Sequence, residues 1–121
     1  MESMPATESS EETTAAALQR AYGAVRADTE AICEPLTPED QVIQTMPSVS
    51  PPKWHLAHTS WFFETFLLEP FLPGYDPIDE TYAYLFNSYY IQAGERHCRD
   101  RRGYISRPTV DEVLDYRAHV D

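Results

Sequence analysis

Two histidines three residues apart, His55 and His58, sit in the aromatic stretch Trp-His-Leu-Ala-His-Thr-Ser-Trp-Phe-Phe-Glu. Imidazoles at that spacing can share one edge of a helix, and a neutral imidazole nitrogen is a common ligand for a transition metal. A metal bound this way still needs ligands from elsewhere. The competing reading is structural: a lone histidine among aromatics is more often a packed, hydrogen-bonded core residue. A second group is basic. Arg96, Arg99, Arg101, Arg102 and Arg107 are five of the nine basic residues. Arginine forks suit carboxylates, so this segment reads either as a site for a small anion or as a solvated loop balancing nearby acids.

The histidines need a helix to carry them, and residues 50 to 68 predict one. Ser50 is a good N-cap and Pro51 suits the first helical position. Trp54, Ala57, Trp61, Phe62, Thr65 and Leu68 then recur at helical steps, with His58 inside that face. The helix should stop near Pro70. Upstream, a helix over 13–33 is expected, with a capping-box spacing at Ser9 and Glu12 and a stripe of Leu18, Tyr22, Val25, Thr29 and Ile32. Thr37-Pro38-Glu39-Asp40 predicts a short helix reaching about Thr45. Pro70, Pro73, Gly74 and Pro77 mark an irregular connection. Asp79 can cap a helix over 80–93 carrying Tyr82, Leu85, Phe86 and Tyr89, and Gly94 stops it. Thr109 and Glu112 form another capping box, followed by Val110, Val113, Leu114, Arg117 and Val120 over 110–121. No strand-like alternation stands out, so the fold class is all-α. The last helix breaks off after about three turns, and its apolar stripe expects more chain.

Composition narrows the partners. Twenty acidic against nine basic residues give a net charge of -11, which argues against nucleic acid, whose phosphates would be repelled. There is no leader-like segment and no apolar run of about 18 residues, so a soluble, cytoplasmic protein that neither spans nor binds a membrane is expected. Cys33 and Cys98 lack any zinc-like spacing and fit reduced thiols in that compartment. Residues 1–12 are short and polar or acidic, and a disordered tail is expected there.

The segment Ser50 to Pro73, together with Asn87-Ser88-Tyr89-Tyr90 and Ser106-Arg107-Pro108-Thr109, resembles the N-terminal region of the iron-dependent sulfoxide synthases of ergothioneine biosynthesis, also called hercynine oxygenases. The resemblance runs from about Leu18 to Asp121. It implies that residues 13–121 are the N-terminal part of a DinB-like four-helix bundle, here incomplete, with the formylglycine-generating-enzyme-like C-terminal domain absent. It also implies a mononuclear non-haem Fe(II) held by three histidines, of which the one closing Leu-Ala-His is His58. The tyrosines ending Asn-Ser-Tyr-Tyr, Tyr89 and Tyr90, are implied as active-site residues, one of them a proton donor. The remaining two ligands belong to a His-x-x-x-His pattern on a later helix. His55, His58, His97 and His119 offer no such spacing.

The activity implied is O₂-dependent joining of cysteine or gamma-glutamylcysteine to the imidazole C2 of hercynine, with sulfoxidation. By itself the 121-residue chain is expected to be inactive. Arg96, Arg99, Arg101 and Arg102 are candidates to hold the carboxylate of the thiol substrate. Two other readings remain open: a DinB-like metal-dependent thiol transferase using zinc or nickel, and a non-catalytic remnant or interaction module. Self-association of an unfinished bundle is also expected, because exposed apolar side chains seek cover.

Overall fold

The computed structural model describes residues 13–88 and 94–121. It is all-α, and among the described residues the only extended pairing is an isolated bridge between Met46 and Val49. The expected acidic tail, with Ser9 and Glu12, lies outside the described residues. The chain divides into two compact units, residues 1–35 and 36–121.

The first unit carries α1, Thr14–Cys33. Its boundaries match expectation, but its cap is Thr13, whose hydroxyl accepts from the Ala16 amide at 3.0 Å. Leu18, Val25 and Ile32, seven residues apart on the predicted stripe, are solvent-exposed.

The second unit opens with α2, Pro38–Gln41, held by a complete capping box between Thr37 and Asp40. It is shorter than expected because the chain leaves the helix to bring Gln44 to a distant loop, described below. Next comes α3, Pro52–Phe63, whose N-cap is Pro51 and not Ser50. The Ser50 hydroxyl is engaged elsewhere, and proline occupies the cap and the first helical position in succession.

After Phe63 the helix widens into a π-helical turn, Glu64–Leu68, in which the Glu69 amide bonds the Glu64 carbonyl. It then closes as α4, Glu69–Phe71. The helix ends at Phe71, beside the expected stop near Pro70. In a regular α-helix the proline ring would clash with the carbonyl of Phe66, four residues back, and the wide turn just before it relieves that clash.

The helix expected over 80–93 is only α5, Tyr82–Phe86, because Asn87 leaves the helical region at ψ 147°. Asp79 is not its cap: its carboxylate accepts from the Thr81 amide and hydroxyl in the preceding turn. The arginine segment, expected as a loop, contains a 3₁₀ helix over Arg99–Tyr104. Last is α6, Val110–Val120, with the predicted Thr109–Glu112 capping box formed in full.

The core lies where α3 packs on α6 and α5. Trp54, Leu56, Ala57 and Trp61 meet Tyr82 and Phe86 on one side and Val110, Val113, Tyr116 and Val120 on the other. Lys53 and Ser60 are buried as well, so α3 buries more of its circumference than the single stripe predicted. Three polar ties fasten it. Arg117 donates to the Leu56 carbonyl and the Thr59 hydroxyl, both at 2.9 Å. Lys53 donates to the Ile105 carbonyl at 2.8 Å, and burial, with the Arg107 charge, holds its ammonium below the usual lysine range. Glu64 accepts the hydroxyls of Tyr75 and Tyr116, one on each carboxylate oxygen.

That last cluster gives a stability prediction. Tyr116→Phe should destabilise the fold by about 1.5–3 kcal/mol, the worth of a hydrogen bond to a charged group. Combined with Glu64→Gln, which removes the charge and one of the two acceptor oxygens, the loss should be less than additive, because both changes act on the same bond. Urea unfolding of the two single variants and the double variant measures this, and strict additivity would show that the phenol and carboxylate are not coupled.

Candidate metal-ligand site

His58 is held by the end of α5. The last carbonyls of any helix lack intrahelical donors, and α5 ends at Phe86. Its Phe86 carbonyl lies 2.6 Å from His58 Nδ1, and its Leu85 carbonyl accepts the Trp54 indole N–H at 3.0 Å. A carbonyl only accepts, so Nδ1 must carry the proton and Nε2 keeps its lone pair. Metal-bound histidines are commonly oriented in this way, by a carbonyl or carboxylate on the other nitrogen.

Both faces of the imidazole are covered. Trp54 stacks at 4.5 Å and 11°, Trp61 at 5.6 Å and 18°, as positions one turn before and after it on α3 must. Burial holds the half-buried imidazole below its ordinary value. The nearby Arg102 charge acts the same way, against the opposing effect of the Phe86 bond. The ring is therefore a neutral ligand-competent base. His55 is solvent-exposed with its ring edge-on to Trp54 at 5.3 Å. Its value is also lowered, first by partial desolvation, then by His58, Arg102 and Arg99. Among the described residues no group of three His, Cys, Asp or Glu side chains is arranged to hold a metal ion. His58 can be one ligand of a centre whose other donors are not among these groups.

The arginines divide. Arg96 and Arg101 are exposed, and Arg99, also exposed, reaches the Ser48 carbonyl at 3.3 Å. Arg102 departs from the expected substrate-facing loop. It is buried, donates to the Ser50 hydroxyl at 2.7 Å, and lies 3.6 Å over the Trp54 ring. The sequence offered little sign of this beyond Gly103, where a Cβ would come within 2.9 Å of the Gln44 side chain. Tyr89 and Tyr90 lie outside the described residues. The ends of their segment are tied, since the buried Asn87 amide donates to the Gly94 carbonyl at 3.2 Å. His97 and His119 bond the carbonyls of Cys98 and Asp76 and do not join His58.

With the fold and this geometry in place, comparison with known families is decisive at one level. A model of the DinB superfamily matches residues 21–121. The chain belongs to the DinB superfamily. No curated protein matches it. The all-helical architecture fits a DinB-like helical fold, and the match spans α3, α5 and α6, the elements of this site. Among the described residues no helix of this DinB protein is long and apolar enough to cross a membrane.

The lowered histidine values fix a pH dependence. An unfolded chain protonates His58 near 6.5, whereas the folded chain resists. The stabilisation is therefore full above about pH 6.5 and is lost as pH falls through that value toward the lower folded one. The fall in urea midpoint between about pH 7 and pH 5 should be shallower in His58→Asn, which keeps a donor for the Phe86 carbonyl but cannot titrate. An equal fall in both proteins would place the effect on other groups.

Proposed function

We propose that this DinB protein contributes the first histidine ligand and the anion-binding arginines of a non-haem Fe(II), O₂-dependent sulfoxide synthase joining a cysteine-type thiol to C2 of hercynine. The observation that carries this is the setting of His58: its Nδ1 lies 2.6 Å from the Phe86 carbonyl, which leaves Nε2 as the acceptor. The residues fit iron as one histidine of a larger donor set. Ferrous iron bound there supplies oxygen activation and acidifies a coordinated thiol.

The chain's own residues have separate tasks. His58 holds the ion through Nε2, and the tryptophans on its two faces keep the imidazole in one plane and restrict water on those sides. Arg99 is the best candidate to orient a substrate carboxylate, because of the surface arginines it is the one whose charge reaches His55. Tyr89 or Tyr90 remains the proposed proton donor. A second reading, a zinc- or nickel-dependent thiol transferase, would use the same histidine.

Anaerobic titration with Fe(II), followed by NMR line broadening, tests the site. Broadening should centre on His58, Trp54 and Trp61, be weak in overall affinity because one imidazole leaves the ion largely hydrated, and vanish in His58→Ala. Broadening that survives that substitution would mean the site is elsewhere. Tighter binding of Zn(II), with no oxygen consumed on adding thiol and hercynine, would favour the transferase. For the substrate, Arg99→Ala should weaken binding of a cysteine-type thiol by about 1.5–3 kcal/mol, the worth of a charge-assisted hydrogen bond. Arg96→Ala and Arg101→Ala should have smaller effects. Unchanged thiol binding in all three would return the segment to a solvated loop.

A further inference from the structure

Arg102 is buried at 4% exposure, where its guanidinium donates to the Ser50 hydroxyl and lies over the Trp54 ring. Burying a guanidinium is costly, and an apolar side chain of similar volume is often as stable or more so. What the arginine supplies is a flat, charged plate at a fixed position.

The loop beneath that plate is held firmly. Gln44 acts like a strand of backbone: its side-chain carbonyl accepts from the Gly103 amide at 2.7 Å and its amide donates to the Arg99 carbonyl at 2.8 Å. Lys53 bonds the carbonyl of Ile105 just beyond. The plate itself is anchored at Ser50, immediately before α3.

A guanidinium 3.6 Å and an imidazole 4.5 Å from the same ring would overlap on one face, so Arg102 and His58 sandwich Trp54. Trp54 cannot slide away, since its indole N–H is fixed on the Leu85 carbonyl. The Phe86 carbonyl selects the tautomer of His58 only while the ring lies in the plane that points Nδ1 at it, and the terminal torsion of histidine is broad. The stack sets that plane.

We propose that Arg102 is a positioning residue: anchored on Ser50, it clamps Trp54 against the His58 imidazole and so fixes the direction in which Nε2 points. This rests on the reading of His58 as a metal-holding residue, but its first readout does not. The test uses the full chain labelled with ¹⁵N at about pH 8, comparing wild type with Arg102→Met, Arg102→Lys and Ser50→Ala. Long-range proton–nitrogen NMR reads the His58 tautomer and the Trp54 indole, Zn(II) titration reads the affinity of Nε2, and circular dichroism checks the fold.

Wild type should show a single Nδ1–H tautomer. Arg102→Met should show a mixture, a shifted Trp54 indole, and Zn(II) binding at His58 weakened about tenfold or more, the usual cost of disturbing a group that orients a ligand. Arg102→Lys should recover part of this and Ser50→Ala should move the same way by less. A helical Arg102→Met with one tautomer and unchanged Zn(II) affinity overturns the proposal. If Arg102→Met does not fold, Ser50→Ala decides, and wild-type behaviour there overturns it equally. Absence of His58-dependent Zn(II) binding in wild type would sink the metal reading, and the tautomer readout would then decide the clamp alone.

Discussion

Two carbonyl oxygens at the end of a five-residue helix organise the centre of this protein. Those of Leu85 and Phe86 have no donors within α5 and are taken up by Trp54 and His58 of α3. Both bonds are partly buried, where an unpaired carbonyl is costly, and they hold α5 to α3. The same bonds choose the protonated nitrogen of His58 and the orientation of Trp54. Structural and chemical readings of this histidine therefore do not compete. The bond that makes it a satisfied interior residue on one edge leaves it a usable ligand on the other.

The treatment of charge follows a related logic. In a chain of net charge -11, the second unit buries Lys53, Arg102 and Arg117, which reach carbonyls, hydroxyls and an aromatic ring. Each cation ties together segments distant in sequence: Lys53 and Arg102 join the 3₁₀ loop and its exit to the start of α3, and Arg117 joins α6 to its middle. Glu64 is the converse, a buried carboxylate satisfied by two phenols where the π-helical turn begins. π-Helical turns are found frequently at functional sites, but here the turn also lets the helix pass Pro70.

Much of the fold could be read from local patterns. The cap and proline at Thr37-Pro38, the capping box at Thr109 and the apolar recurrences in α1, α3 and α6 each depend on residues within one or two turns of one another, and all of these elements are present. Reading failed where a residue had a better partner far away. Ser50 is a capable cap by type but bonds Arg102, and α2 ends early with Gln44 turned to the Arg99–Gly103 backbone. The helix expected to reach residue 93 ends at Phe86, where tertiary donors compete successfully for its carbonyls.

By itself, then, the sequence determined an all-α class, the helix that carries His58, and the face that histidine shares with Trp54 and Trp61, because helical periodicity is a local property. It also determined the family, through residues 21–121. Only the tertiary structure decided which nitrogen of His58 is left open, that Arg102 is interior while Arg99 stays at the surface, and that Glu64 sits between two tyrosines. Those outcomes turn on hydrogen bonds and stacking between residues roughly 30 to 60 positions apart. No spacing rule along the chain encodes such partners, since they become neighbours only when the core closes around α3.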